Sequence, residues 1–197
     1  EYFEIFGSAI HTHGGVIDKF LGDGMMVLFN APLDLANHPA EACRAALDAM
    51  SGLQSLQPAE EGFVPRVRVG LHTCEALVGN VGTSDRFSYT AIGDGVNLCS
   101  RLEGLNKIYG TWIIASSTTA KAAAGGGFLW RFLDRVAVVG RDEPLEIFEL
   151  MGRAGETTPE QQRIAEIFPK ALDYYFRREF AEASAIFESL QDRKSTR

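Results

Sequence analysis

Residues 15–30, GVIDKFLGDGMMVLFN, determine how the first part of this chain folds. Two apolar runs, residues 16–21 and 25–29, flank the tripeptide Gly22-Asp23-Gly24. Glycine and aspartate are typical of tight turns between strands. The pattern therefore predicts a β-hairpin that carries the carboxylate of Asp23 at its tip.

Beyond this hairpin, apolar spacing predicts helices and strands in alternation. We expect the strands at residues 66–72 and 76–81 to pair with each other, and Asp94 to cap the helix that follows. The interleaving favours an α/β (α+β) sandwich of ferredoxin-like type, with a mostly antiparallel sheet covered by helices. The remaining predicted helices are 1–11, 37–56, 94–109 and 116–124, and the remaining strands are 112–115, 128–139 and 145–151.

Changes in composition divide the chain into three parts. Residues 1–152 form one predicted domain, and residues 153–158, rich in Gly, Thr and charge, form a linker. Residues 159–197 have the spacing of a helical hairpin similar to a single tetratricopeptide repeat, and we expect it as a C-terminal appendage. The chain begins without Met in a helical pattern, so we expect it to be a piece of a longer protein.

Charge and composition exclude several classes of function. A net charge of -7 argues against a broad nucleic-acid or anionic-lipid surface. The apolar runs are far shorter than the roughly 20 residues of a membrane-spanning helix. The three cysteines lack the paired spacing of a zinc site or disulfide framework, which favours buried thiols and a cytoplasmic location.

Four polar positions are candidates for chemistry. Asp23 suits a hard cation such as Mg²⁺, although Gly-Asp-Gly is equally ordinary turn chemistry. Lys19 interrupts an apolar strand, where a solvated position is the simpler interpretation. Asn97 and Arg101 lie four apart on one helix face and suit a ribose beside a phosphate, or an exposed polar face.

Three further residues are weaker candidates. Thr90 precedes the predicted helix and has a hydroxyl that can donate or accept a hydrogen bond. His72 and Cys74 lie on a predicted strand without matching metal ligands, so we interpret both as structural.

Three segments taken together resemble the bacterial class III nucleotidyl cyclases over residues 1–151. They are GGVIDKFLGDG at residues 14–24, VRVGLHT at residues 67–73, and GNVG at residues 79–82 followed by YTAIGDGVNLCSRLE at residues 89–103. The resemblance fixes several polar positions over a long stretch, which makes it specific. It implies a catalytic domain of an adenylate cyclase.

The resemblance also implies a role for each candidate. Asp23 corresponds to the second of two aspartates that bind Mg²⁺ or Mn²⁺, and Lys19 with Thr90 to the pair that selects the base. Asn97 would orient the ribose, and Arg101 would stabilise the α-phosphate during attack by the 3′-hydroxyl. Family members act as head-to-tail homodimers, so two copies of this chain would form the sites, linked to an upstream sensor or membrane domain.

Hydrogen-bond chemistry favours ATP over GTP. Adenine has an acceptor at N1 and a donor at N6, which suit the ammonium of Lys19 and the hydroxyl of Thr90. Guanine has the reverse pattern and would require a carboxylate in place of Lys19.

The sequence departs from the family at two places. The other metal-binding aspartate would precede Glu1, so we expect this fragment to be inactive alone. The triphosphate lysine of the family is replaced by Val139 near Gly140, and Arg141 is a candidate substitute or a surface residue. Two alternatives therefore remain: a catalytically silent regulatory or dimerisation module, and a relative of diguanylate cyclases or polymerase palms, whose acidic glycine-rich motif is not found.

Overall fold

The computed structural model describes residues 2–55, 67–83, 86–137 and 144–191. Helices and strands alternate over this part of the chain, as the apolar spacing predicts. A short 3-10 helix, Ala124–Gly126, follows the fourth α-helix. The elements in chain order are α1 (Tyr2–Thr12), β1 (Val16–Leu21), β2 (Gly24–Leu28), α2 (His38–Gln54), β3 (Val69–Leu71), β4 (Leu77–Thr83), β5 (Arg86–Ile92), α3 (Asp94–Tyr109), β6 (Ile113–Ser116), α4 (Ser117–Ala122), β7 (Phe128–Val136), β8 (Leu145–Arg153), α5 (Pro159–Phe176) and α6 (Phe180–Gln191).

A four-stranded sheet of order β3-β6-β8-β7 forms the centre of the fold. The β3–β6 pair is parallel and the other two pairs are antiparallel. Neighbouring residues on a strand point to opposite faces, and Ile113 and Ile114 of β6 accordingly belong to two different apolar clusters. The cluster with Ile113 includes Cys43 of α2, whereas the cluster with Ile114 includes Leu102 of α3. The predicted α+β class, with helices on both faces of a largely antiparallel sheet, is confirmed.

Two antiparallel strand pairs lie outside this sheet. β1 pairs with β2 as predicted, and residues 22–23 form the turn between them. β4 pairs with β5 from Leu77 opposite Ile92 to Thr83 opposite Arg86. Helix α1 packs on α2 and the first hairpin through a third cluster that contains Phe6, Ile10 and Ala49.

Three local predictions are wrong. The strand at residues 66–72 is the shorter β3, and it pairs in parallel with β6 rather than with the strand after it. The true partner of β4 is β5, which the apolar spacing misses because most of its side chains are exposed. The residue that precedes α3 is Gly93, and Asp94 lies in the first turn, where its charge faces the positive end of the helix.

Helix α3 is anchored to the central sheet by polar and close backbone contacts. The buried Asn106 amide donates to the backbone oxygens of Val69 at 3.0 Å and Glu103 at 3.0 Å. Its own oxygen accepts from the Thr111 hydroxyl at 2.8 Å. A side chain at Gly70 would collide with the backbone of α3, so only glycine permits this approach. The helix that carries Asn97 and Arg101 is therefore fixed in position.

In the segment predicted as a helical hairpin, residues 159–197, the structure has the helices α5 and α6, and residues 192–197 lie outside the described residues. Helix α5 packs against β7, where the Arg131 guanidinium lies 4.8 Å from the centre of the Phe168 ring. Phe168 also contacts Phe187 of α6, with ring centres 5.3 Å apart. Within the described residues, none of the helices has both the length and the apolar character that crossing a bilayer requires.

Candidate functional site

The structure brings together two of the predicted site residues that are 71 positions apart in sequence. The Lys19 ammonium donates to the Thr90 hydroxyl at 2.8 Å. Lys19 lies on β1 and Thr90 on β5, so this contact joins the two strand pairs outside the central sheet. The Lys19 side chain is 40% exposed and Thr90 is only 8% exposed.

A third residue, Asp18, completes this cluster. The Thr90 hydroxyl donates to Asp18 Oδ2 at 2.7 Å, and the Lys19 ammonium lies 3.4 Å from the same oxygen. The Asp18 side chain is 1% exposed. A buried carboxylate is stable only when it is paired and hydrogen-bonded, and here both partners are site residues. We call Asp18, Lys19 and Thr90 the polar triad.

A β-bulge explains how adjacent residues reach the same hydroxyl. Ile17 pairs with Val27 and Lys19 pairs with Met26, so Asp18 is an extra residue without a partner on β2. Adjacent side chains of a regular strand point to opposite faces, but a bulge re-aims one of them. Asp18 and Lys19 can therefore both contact Thr90.

The residue opposite Thr90 on the neighbouring strand has no side chain. The residue paired with Thr90 on β4 is Gly79. Paired residues share one face of a sheet, and a Cβ at Gly79 would meet nothing within 4 Å. At this pair β4 therefore places no side chain over Thr90.

Asn97 and Arg101 lie on the exposed face of α3, four residues apart as predicted. The opposite face of the helix carries Leu98 and Leu102, which are 4% and 0% exposed in the core. Neither the Asn97 nor the Arg101 side chain has a hydrogen bond or ion pair to another residue that the structure describes. Their amide and guanidinium groups are thus available to a ligand or a second protein chain.

Asp23 is exposed in the turn between β1 and β2, as predicted. Burial, and then the charge of Asp23, raise the pKa of Tyr2 above its ordinary value. Its oxygens have the chemistry that Mg²⁺ and Mn²⁺ prefer. The described residues contain no group of three His, Cys, Asp or Glu side chains that could hold a metal.

The predicted phosphate-binding Arg141, together with Val139, lies outside the described residues. The roles assigned to it therefore remain predictions.

The cysteines give no nucleophile at this site. Burial raises the pKa of Cys43 to about 12 and that of Cys99 to about 11, so both are thiols near neutral pH. Cys74 is exposed, and the prediction of a buried thiol is wrong for it because it lies in the loop between β3 and β4. His72 bonds to the Ser116 hydroxyl at 2.8 Å, in agreement with a structural role.

Sequence reasoning missed Asp18. Strict alternation along β1 places Asp18 on the opposite face from Lys19, which hides its contribution. The observation that could have revealed it is the adjacent Asp-Lys pair inside an apolar strand, since two neighbouring charges there indicate a bulge or a buried ion pair.

Comparison with known proteins gives a consistent result. The family model described as the adenylate and guanylate cyclase catalytic domain matches residues 1–152. Adenylate cyclase 1 of Rhizobium meliloti is 40% identical over 163 residues, which cover 80% of this chain and 24% of that protein. The adenylate cyclase of Anabaena cylindrica is 39% identical over 155 residues, which cover 76% of this chain and 31% of that protein.

A solved structure agrees with the sequence comparisons. The crystal structure of the adenylyl cyclase CyaB from P. aeruginosa superposes with a TM-score of 0.68 at 28% identity. The match covers 80% of this chain and 82% of that one. The chain thus spans less than a third of the two curated relatives but most of this solved structure.

Proposed function

The chain belongs to the adenylate and guanylate cyclase catalytic domain family, and on that premise we propose that it converts ATP to 3′,5′-cyclic AMP and pyrophosphate. The observation that carries the choice of ATP is the contact of Lys19 with Thr90, which places an ammonium beside a hydroxyl at 2.8 Å. Two relatives of about 40% identity bear the name adenylate cyclase, which supports the same choice.

The polar triad is proposed to recognise adenine. The Lys19 ammonium has three protons, so it can donate to Thr90 and to the acceptor N1 of the base at the same time. Guanine carries a proton at N1, which would face the ammonium and leave two donors opposed. Gly79, which pairs with Thr90, adds no side chain that would compete with the base for this position.

Asn97 and Arg101 are proposed to hold the ribose and the α-phosphate. The reaction forms a bond between the ribose 3′-oxygen and the α-phosphorus, breaks the bond to pyrophosphate and releases the hydroxyl proton. The guanidinium of Arg101 offsets the negative charge that accumulates on the α-phosphate oxygens. Because α3 is anchored by Asn106, the backbone that carries both groups is held in place before the substrate binds.

Asp23 is proposed to hold a divalent cation, Mg²⁺ or Mn²⁺, whose charge offsets that of the triphosphate. A single carboxylate binds such an ion weakly, so we expect residues 1–197 alone to have little cyclase activity. Arg141 is proposed to contact the outer phosphates.

A head-to-tail homodimer is proposed as the active form. Large apolar side chains are exposed on the two strand pairs that carry the site, including Phe20 at 56%, Leu21 at 58% and Phe87 at 64%. Exposed apolar side chains favour association with another protein surface when they are grouped. A second copy would also bring Asp23 of one chain toward Asn97 and Arg101 of the other.

Three wider statements belong to the same proposal. ATP as substrate and thiols kept reduced favour a cytoplasmic location. An upstream sensor or membrane domain is proposed to set the rate by controlling how the two copies align. Residues 1–152 are proposed as the catalytic domain, residues 153–158 as its linker and residues 159–197 as a helical appendage.

Cyclic nucleotide production by the full-length gene product, with ATP or GTP and Mn²⁺, tests the proposal. We expect cyclic AMP from ATP, and a loss of about 10- to 100-fold in kcat/KM for Lys19→Met, since a charge-assisted hydrogen bond to the base is removed. Lys121→Met, an exposed lysine of α4, is the matched control and should retain activity.

Two results would contradict the proposal. Preferential formation of cyclic GMP would show that the base assignment is wrong. Nucleotide binding without either product would favour the alternative of a catalytically silent regulatory module.

A further inference from the structure

The hydrogen of the Thr90 hydroxyl is already committed within the chain. A hydroxyl has one proton to donate and lone pairs that accept. The Thr90 proton goes to Asp18 Oδ2 at 2.7 Å, and one lone pair accepts from Lys19 at 2.8 Å. The Thr90 oxygen can therefore accept a hydrogen bond from a ligand but cannot donate one.

The carboxylate that fixes this direction is itself well held. Asp18 is 1% exposed and lies 3.4 Å from the Lys19 ammonium, which supplies an opposite charge. The bulge at Asp18 determines where its side chain points, because the residue has no partner on β2. Water competes poorly for a group this deeply buried.

We propose that Asp18 is a positioning residue that determines base specificity by fixing the Thr90 hydroxyl as an acceptor. An acceptor at this position binds an exocyclic amino group, such as N6 of adenine, and disfavours a carbonyl oxygen, such as O6 of guanine. Lys19 and Thr90 then present a donor and an acceptor side by side, which complements adenine. This inference rests on the proposed function, because it concerns the same site.

Asp18→Asn tests the inference with almost no change in size. The introduced amide can offer either its oxygen or its amino group to Thr90, so the hydroxyl is released to donate to a ligand. We expect the preference for ATP over GTP, measured as the ratio of the two kcat/KM values and as the ratio of the two binding constants, to fall about tenfold. This is the scale of one hydrogen bond. Asp34→Asn, which neutralises an exposed carboxylate in the loop before α2, should leave the ratio unchanged.

A second variant separates positioning from a merely structural effect. Thr90→Val removes the hydroxyl with little change of shape. If Asp18 acts through that hydroxyl, Asp18→Asn should not change the nucleotide ratio further in a Thr90→Val background. A loss of stability alone would lower kcat/KM and binding for ATP and GTP by the same factor, so the ratio between the two nucleotides would not change.

The full-length gene product is used for all four variants, with binding measured by calorimetry in Ca²⁺ and turnover in Mn²⁺. The inference is supported if the wild type binds ATP more tightly than GTP and Asp18→Asn abolishes this preference. This holds even if no cyclic nucleotide forms and the proposed activity fails. An unchanged ratio in Asp18→Asn overturns the inference while leaving the cyclase activity standing. Equal binding of ATP and GTP by the wild type overturns it as well.

Discussion

The central sheet and the two outer strand pairs are stabilised in different ways. Ile114 and Ile147 of the central sheet are 0% exposed and pack in one cluster with Leu102 of α3, which is also 0% exposed. The outer pairs meet through the polar triad, and apolar side chains such as Leu77 at 72% remain exposed on them. The first region carries the stability of the fold, and the second presents its chemistry and apolar surface.

Loss of the Arg101 guanidinium should have the largest effect of the substitutions considered. It should lower activity without lowering stability. We expect Arg101→Ala to lower kcat by about 100- to 1000-fold, because a charge that stabilises the transition state is removed. The melting temperature should not change, since Arg101 is exposed and its side chain has no hydrogen bond or ion pair to another described residue. Steady-state kinetics and thermal unfolding measure the two quantities.

Lys107→Ala is the matched control for this prediction. It removes one positive charge from an exposed position on the same helix. An equal loss of kcat in both variants would mean that general surface charge, rather than Arg101, supports the reaction.

Loss of the buried amide of Asn106 should affect stability. Asn106→Ala leaves the Val69 oxygen and the Thr111 hydroxyl without their partners, so the free energy of unfolding should fall by about 2 to 3 kcal/mol. Urea denaturation measures this. Asn97→Ala removes the same side chain from the exposed face of the helix and should leave the stability unchanged while it weakens activity.

A pH dependence of stability should arise where α1, α2 and β8 meet. Burial acts to raise the pKa of Asp48, but hydrogen bonds from His13 and Arg153 outweigh it and the pKa is lowered. A carboxyl with a lowered pKa stabilises the fold above its unfolded value of about 3.9, and this contribution is lost as the pH falls through the folded value. The effect should be small, because the side chain is 38% exposed.

Asp48→Asn should therefore be less stable than the wild type at neutral pH, and the difference should become smaller in acid. Chemical denaturation at pH 7 and at about pH 2.5, below the unfolded value for Asp, measures the difference. Asp34→Asn is the control, because the Asp34 carboxylate has no hydrogen bond or ion pair to another described residue. Its stability should equal that of the wild type at both pH values. A difference that persists in acid would mean that packing, not charge, is responsible.

Local sequence patterns predicted most of the elements correctly. The β1 prediction agrees with the observed Val16–Leu21, and the predicted end of α3 agrees because Gly110 adopts the left-handed conformation that ends helices. A strand of alternating residues and a helix end at glycine both depend on a few neighbouring residues, so they can be predicted from the local sequence. The partner of β4 was missed because β5 has an exposed, mixed pattern that no periodicity rule identifies.

The sequence alone determined the alternation of helices and strands, and the residue types at Lys19, Thr90, Asn97 and Arg101. Only the tertiary structure decided that Lys19 and Thr90 meet, and that a bulge turns Asp18 toward the same hydroxyl. The physical reason is that helices and turns follow from local backbone preferences, whereas the polar triad depends on strands more than 70 residues apart being brought together by packing.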